Sequence, residues 1–577
     1  MFVEAQQLVA ATWVVAAFVL VGLGLLERRL FGPPLRDAAG LWQVFWIGWA
    51  LLLTGLQLWH VFLPVDDRTR VAVAVVALLG WLAAGTAPWR ALAASLPRSI
   101  LPAAASLAAA WWLTNQSLAG PRFGDTGMYL VPTVHWYESF PSVPGLANLF
   151  VPLGHNLSYF LWAALLDGGP LAGHLYHVVN STLVVALVAR GLFACFRLVT
   201  GSRERVASDL FHALALVPIS DFAFSLYLTS PMPDAGVYLF GLVMAGELAG
   251  LLEQADPSRA AMIRVVFLSA VGLTLKLSIA GLSLATGGVA LLWWLWRTRP
   301  APAAAVEGGA LALLSTLVPV GTWVVRNSIT SGYPLYPAPF LPLPVDWIAK
   351  VDATAWIQAP MALAPLWTIF SQWSWWHTRL LSLGWMEPDA TKPLALVAGA
   401  AALLAVAWPL ERLRGVKPAL PLVVALAPVA AFFFCFVNTP MPRYQGATLW
   451  ILAIDLAVVA LSGVVARGAV PLRALVVAGA LAGAWMPLHR GAEPWLALQA
   501  FEPSSPPRLH EQTLASGLTV RVPENQVCWY AELPCTPEPH PGLRLRVPGD
   551  LGSGFAIDLP ETGAAGPGSG AGAGAGH

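Results

Sequence analysis

Charge is what this sequence has least of. Asp, Glu, Lys and Arg make up 11% of its 577 residues, where a soluble domain carries about 25%. That deficit excludes a chain bathed in water on every side. Neither sign dominates, with 32 Lys+Arg against 31 Asp+Glu, so no basic face for nucleic acid is expected. Cysteine is scarce as well, at four residues. Cys195 and Cys435 fall in or beside apolar runs and read as packing residues. Cys528 and Cys535 stand seven apart in CWYAELPC, which suits a disulfide in an oxidising compartment. A structural zinc is the rival reading, but the second cysteine pair it needs is missing. No P-loop, dinucleotide fingerprint or HExxH occurs, so ATP-driven and zinc-protease chemistry have no support. No basic residue precedes the first apolar run, Leu8 to Leu26. That run is long enough to span a membrane and reads as a first helix, not a cleaved leader.

Apolar length is what the chain has instead: 57% of residues are hydrophobic and mean hydropathy is +0.67. Many of the 27 Trp residues sit at the ends of apolar runs, as in an interfacial belt. At about 20 residues per span, about fourteen transmembrane helices are expected, at 8–27, 41–62, 71–89, 100–117, 172–193, 207–228, 235–252, 264–278, 281–296, 308–326, 393–410, 418–437, 447–465 and 471–488. The fold class is therefore an all-α polytopic membrane protein. Basic residues follow each odd-numbered span, among them Arg28 and Arg29, Arg90 and Arg98, Arg197, Arg259, Arg297, Arg412 and Arg467. Basic loops stay in the cytoplasm, so both termini are expected outside it. Arg264 at one end of 264–296 and Arg297 and Arg299 at the other require the chain to turn back. Two short helices meeting near Lys276–Gly281 are expected there.

The resulting layout begins with four helices over 1–117 and an outside segment with interfacial helices over 118–171. Further transmembrane helices fill 172–326, a second outside segment 327–392, and the last helices 393–488. Alternation at 518–522 and 543–547 suggests strands in a small extracytoplasmic appendage over 489–562. The Gly/Ala-rich end, 563–577, is expected to be disordered.

Chemistry is expected in the long outside segments. Asp125 opens the first, ahead of an amphipathic stretch from Met128 to Tyr137 and a second from Leu146 to Leu166 that carries His155. A carboxylate at the membrane surface suits a lipid-borne substrate, although Asp125-Thr126-Gly127 also suits a helix cap. Asp234 in SPMPD starts the seventh span and is equally suited to capping. Lys276 lies at the turn of the short pair, Asp221 in the sixth span and Asp455 in the thirteenth. Ionisable groups inside a membrane face protein or a water-filled cavity, and Asp221 with Lys276 is a candidate pair. Arg326 and Arg443 lie outside, where positive charge is disfavoured; phosphate would suit their planar forks. Pairing to Asp234 or to a lipid headgroup is the alternative. His174 and His177 are three apart, but a metal needs a further ligand. The Trp-rich run 367–385 suits sugar stacking or, more simply, anchoring at headgroup level.

GDTGMY, VHWY, VPGLANLF and GHNLSYF, with SPMPD, LKLS, RNSITSGYPLYP, PRYQ, CWYAELPC and LRLRVPGDLGSGF, resemble a bacterial family of multi-spanning proteins near the GT-C membrane glycosyltransferases. The resemblance runs from about 120 to 555. It implies a bacterial inner-membrane enzyme with a GT-C-like fold. Such an enzyme takes sugar from a polyprenyl-phosphate donor and gives it to an envelope acceptor on the extracytoplasmic side. Asp125 would be the catalytic base; Arg326, Arg443 and Lys276, with Asp234 and His155, would bind substrate or phosphate. The family's paired acids are not matched, since Glu138 is the next acid. That leaves a divalent metal ion open and no cofactor certain. The acidic loop follows the fourth helix, not the first, which requires three extra helices in front. A lipid-linked polysaccharide polymerase or ligase, a transporter or flippase, and a scaffold for envelope assembly are the rival readings.

Overall fold

A computed structural model describes residues 2–31, 39–200, 205–223, 225, 227–338, 340–350, 371–377, 385–413, 419–438, 441–467, 470–490 and 506–558. The Gly/Ala-rich end and most of the Trp-rich run lie outside these residues.

The first four helices are α1 (Phe2–Phe31), α2 (Ala39–Phe62), α3 (Asp67–Ala84) and α4 (Ala87–Ser117). A compact segment follows, with a π-helical turn (Thr126–Leu130), α5 (Val131–Ser139), α6 (Leu146–Leu149) and α7 (Tyr159–Leu166). Then come α8 (Val179–Val199), α9 (Val206–Ala223), α10 (Pro233–Leu252), α11 (Arg259–Leu275), α12 (Ala280–Thr298) and α13 (Pro302–Ser331). Helices at Pro388–Leu413, Leu426–Asn438, Thr448–Arg467 and Val470–Arg490 complete the bundle.

Every expected span overlaps a helix, yet the count of fourteen is not reached. Among the described residues nine helices are long and apolar enough to cross a membrane, or ten if the pair bent by 73° at Gly85–Thr86 counts as one. The shortfall is physical. α11 has 17 residues and carries Arg259 and Arg264, and Leu426–Asn438 has 13. The chain is nonetheless a multi-pass membrane protein. Val14, Leu107 and Val306 are 70%, 72% and 72% exposed, an apolar surface that water disfavours and lipid accepts. α10 is the most enclosed span and Ala390–Pro409 the least, at 83% and 17% buried.

Glycine permits close approach of α1 and α2. A Cβ on Gly24 would meet the Val44 carbonyl oxygen at 1.9 Å, and one on Gly48 the Leu20 oxygen at 1.8 Å. Any larger side chain there would push α1 and α2 apart. The expected break also falls where the basic flanks put it. α11 ends at Leu275, Lys276 is extended (φ −167°, ψ 140°), and a 3₁₀ turn at Leu277–Ile279 leads into α12.

The segment 118–171 departs from expectation. Leu130, Val131, Val134, Tyr159, Phe160 and Leu161 have no exposed surface, so these helices offer no face to lipid. Protein covers them instead: α2 packs on α7, while α13 and the last C-terminal strand, Asp550–Ile557, pack on α6. In α7, YFLWAALL, apolar residues on all sides mark a buried helix.

The appendage consists of two antiparallel hairpins, β1 (Leu509–Thr513) with β2 (Thr519–Pro523), and β3 (Leu543–Val547) with β4 (Asp550–Ile557). Cys528 and Cys535 are joined in a disulfide. The appendage packs on 118–171: the Phe555 amide donates to the Pro144 carbonyl (2.9 Å), and the Tyr530 hydroxyl donates to Asp167 (2.7 Å). Closing so short a loop stabilises by about 2.5 kcal/mol in the chain-entropy account. Cys528→Ser with Cys535→Ser should therefore speed limited proteolysis within 506–558 by about tenfold or more; an unchanged cleavage rate would mean that packing alone holds the appendage.

Candidate functional site

The loop-rich end of the bundle gathers four of the residues singled out from sequence. Asp125 starts the π-helical turn but makes no capping hydrogen bond with its side chain, so the cap reading fails. Its carboxylate instead accepts from the Tyr129 hydroxyl at 3.3 Å, and Arg443, Asp234 and Lys276 act on it electrostatically. Burial raises the Asp125 pKa above the ordinary carboxylate value, against the pull of Arg443 and the Tyr129 hydrogen bond. Burial first, and then the Asp125 charge, hold the Tyr129 phenol protonated far above its usual range.

Asp234 does not cap α10 either; its carboxylate takes the Lys276 ammonium as partner. The pairing of Lys276 with Asp221 expected from sequence is thereby corrected: Asp221 pairs with Lys392 at 3.4 Å. The helix break explains the choice. Leaving helical geometry at Lys276 frees its side chain to reach the first turn of α10. The Lys276 ammonium also lies 4.5 Å from the centre of the Tyr444 ring, and the Arg443 guanidinium lies 5.0 Å from it. Arg443 Nη2 donates to the Tyr444 hydroxyl (3.1 Å).

His155 belongs to the rim of this cluster. Burial, with Lys276 nearby, pushes its pKa down to about 4. The imidazole is neutral at pH 7, so it cannot serve as a phosphate-binding cation; it can only donate or accept a hydrogen bond. Three polar atoms of the group, Asp234 Oδ2, Arg443 Nε and His155 Nε2, are buried without a hydrogen-bond partner in the chain. Such orphans are uncommon and mark a place for a ligand or water.

Arg326 lies elsewhere. It is fully buried, with Nη2 3.0 Å from His60 Nδ1, Nε 3.4 Å from Ser142 Oγ and its guanidinium 5.1 Å from the Tyr137 ring centre. No surface of it is open, and its Nη1 is buried without a hydrogen-bond partner in the chain. Asp455 is also apart, buried with both carboxylate oxygens unpartnered in the chain. Glu138 is drawn away to Arg70 (3.5 Å); burial and the Asp167 charge push its pKa up to about 9. His174 and His177 stack at 6.1 Å. Among the described residues no group of three His, Cys, Asp or Glu is placed to hold a metal.

Tyr129 and Tyr444 were not singled out from sequence. A signal existed for each: Tyr129 is four residues after Asp125, one helical turn on, and Tyr444 adjoins Arg443.

The model of a family described as a domain of unknown function, DUF8201, matches residues 7–450. The chain belongs to this family. The match includes the four N-terminal helices, which the resemblance seen in sequence had left out, and ends before the appendage. Asp125, Tyr129, Asp234, Lys276, Arg443 and Tyr444 all fall within the family region. No curated protein and no solved structure matches the chain.

Proposed function

We propose that this DUF8201 protein is a membrane glycosyltransferase that moves a sugar from a polyprenyl-phosphate-linked donor to an envelope acceptor. What carries the reading is one convergence: the Asp125 carboxylate, held by Tyr129, beside the two cations Arg443 and Lys276. Transfer from a lipid phosphate needs a base on one side of the anomeric carbon and positive charge on the other. Asp125 takes the proton as the acceptor hydroxyl attacks. The bond to the phosphate breaks, and Arg443 stabilises the negative charge that grows on it. Lys276 is partly neutralised by Asp234 and adds less. The general geometry is that of an inverting glycosidase, with a carboxylate activating the nucleophile opposite the leaving group.

The test is transfer by purified protein from a mixed pool of radiolabelled polyprenyl-phosphate sugars to cell-envelope acceptors. Label in the acceptor supports the reading, and its absence with every donor turns attention to transport. The reading also requires the Asp125 cluster on the extracytoplasmic face of a bacterial inner membrane, with both termini there. A reporter fused after Arg467 should then be cytoplasmic and one after Ala492 should not. The reverse pattern would put the cluster on the wrong face for an exported donor.

A further inference from the structure

The appendage lies beyond the family region, yet one of its residues seats the turn that carries Asp125. Thr126 and Gly127 follow Asp125 directly, and both are buried. The Thr126 and Ser230 hydroxyls share a hydrogen bond (2.8 Å), which ties the turn to the segment before α10. A second tie comes from the appendage, where the Trp529 amide donates to the Gly127 carbonyl (2.9 Å). Gly127 leaves room for the indole: a Cβ there would stand 2.7 Å from its Nε1 and 2.9 Å from its Cδ2. The backbone just after Asp125 is thus held by two distant segments. The turn itself is π-helical, a rare geometry that concentrates at functional sites.

Trp529 is an unusual residue for its own position. The Ala531 amide donates to the Cys528 carbonyl (2.9 Å), closing a four-residue turn. Trp529 is the second residue of that turn, with φ 48°. Glycine, asparagine or aspartate usually fill such a place, and a bulky side chain there is strained. Strain of this kind persists where the surroundings enforce it, and it clusters at functional sites. The Cys528–Cys535 disulfide closes around the turn, and the adjacent Tyr530 is bonded to Asp167. What the strained position delivers is an indole set against Gly127, with the Tyr176 ring 6.4 Å away between centres.

We infer that Trp529 is a positioning residue of the candidate site: its indole fixes the acidic turn, and with it the direction of the Asp125 carboxylate. The inference rests on the reading of Asp125 as the base in sugar transfer, and it makes the appendage a working part of that site. The carboxylate faces Tyr129 on its own turn, Asp234 on α10, Lys276 at the break before α12, and Arg443 in Pro442–Gln445. These groups act on the carboxylate; Ser230 and Trp529 hold the backbone beneath it. Misplacing a reacting group by about 1 Å can cost about 100-fold in rate, so the hold matters.

The experiment compares full-length wild type with Trp529→Ala, Trp529→Phe and Tyr530→Phe in detergent, at equal folded amounts. Trp529 is only partly buried, so its truncation leaves the fold standing. Transfer is followed with the polyprenyl-phosphate sugars. The Asp125 carboxyl is titrated by infrared difference spectroscopy, its band being the one lost in Asp125→Asn. Trp529→Ala should lower the maximal rate by about tenfold or more. The donor KM should stay within about twofold, since Arg443 and Lys276 are untouched. The carboxyl should titrate about half a pH unit lower or more, because burial is the main cause that raises its pKa and water enters where the indole stood. Trp529→Phe should recover most of both effects by keeping an aromatic face on Gly127. Tyr530→Phe loosens the appendage but leaves Trp529 seated, so it should match wild type in both. If no donor supports transfer but the carboxyl still shifts in Trp529→Ala alone, the positioning role stands and the sugar-transfer reading fails. An unmoved carboxyl in Trp529→Ala overturns the inference. So does an equal loss in Tyr530→Phe, which would mean that the appendage serves the fold alone.

Discussion

Asp125→Asn should lower sugar transfer by about 100-fold or more at equal amounts of folded protein, the usual cost of losing a positioned base. The amide keeps the size and the Tyr129 contact but cannot take the acceptor's proton. The pH profile should carry the same signature. Burial raises the Asp125 pKa above its ordinary value, so the wild-type rate should fall with acidification at a higher pH than a solvated aspartate would give. In Asp125→Asn that limb should vanish along with the activity. Stability should move the other way. A carboxyl whose folded-state pKa is raised stabilises the fold when protonated, below its unfolded pKa, and loses that contribution as pH rises through the folded value. At neutral pH the ionised group is a burden, so Asp125→Asn should melt no lower than wild type. A variant that transfers label as well as wild type would leave Asp125 without a catalytic part.

Lys276→Met should cost about 3 kcal/mol of unfolding free energy, because it strands the Asp234 carboxylate. Removing one partner of a buried ion pair costs about 3–5 kcal/mol. Asp234 is 5% exposed and Lys276 23%, which places this pair at the low end. Asp234→Asn in the same background should recover most of the loss, since no unpaired charge then remains. The measurement is a double-mutant cycle by denaturant unfolding in detergent. A single-variant cost below about 0.5 kcal/mol would show that water reaches the pair, as at an exposed ion pair. Lys276 would then be available to a substrate.

These two residues also show how far sequence reading reaches. The break at Lys276 was legible, because basic residues flank 264–296 and force a turn. Its partner was not. Asp221 and Asp234 are both polar residues near the same end of neighbouring helices. Which one meets Lys276 depends on helix rotation, and apolar periodicity says little about rotation in a helix as enclosed as α10. The buried state of 118–171 was hidden because its polar residues, such as Asn148 and Asn156, suggested a wet face, whereas they are buried on backbone carbonyls of distant segments. The burial of Arg326 was not legible because its partners, His60, Ser142 and Tyr137, come from distant parts of the chain. The strands at Thr519–Pro523 and Leu543–Val547 were visible as alternation, while β1 and β4 were not. The sequence LHEQT is polar after its first residue and DLGSGFAI is interrupted by glycine, so neither presents a period of two.

The contact between Gly127 and Trp529 imposes an order on biogenesis. The Trp529 amide donates to the Gly127 carbonyl, and a Cβ at Gly127 would strike the Trp529 indole at 2.4 Å. The turn that carries Asp125 is thus completed by a loop made some 400 residues later. Translation inserts the early helices first and supplies their keystone last. A nascent or truncated polypeptide that stops short of Trp529 has its acidic turn uncovered.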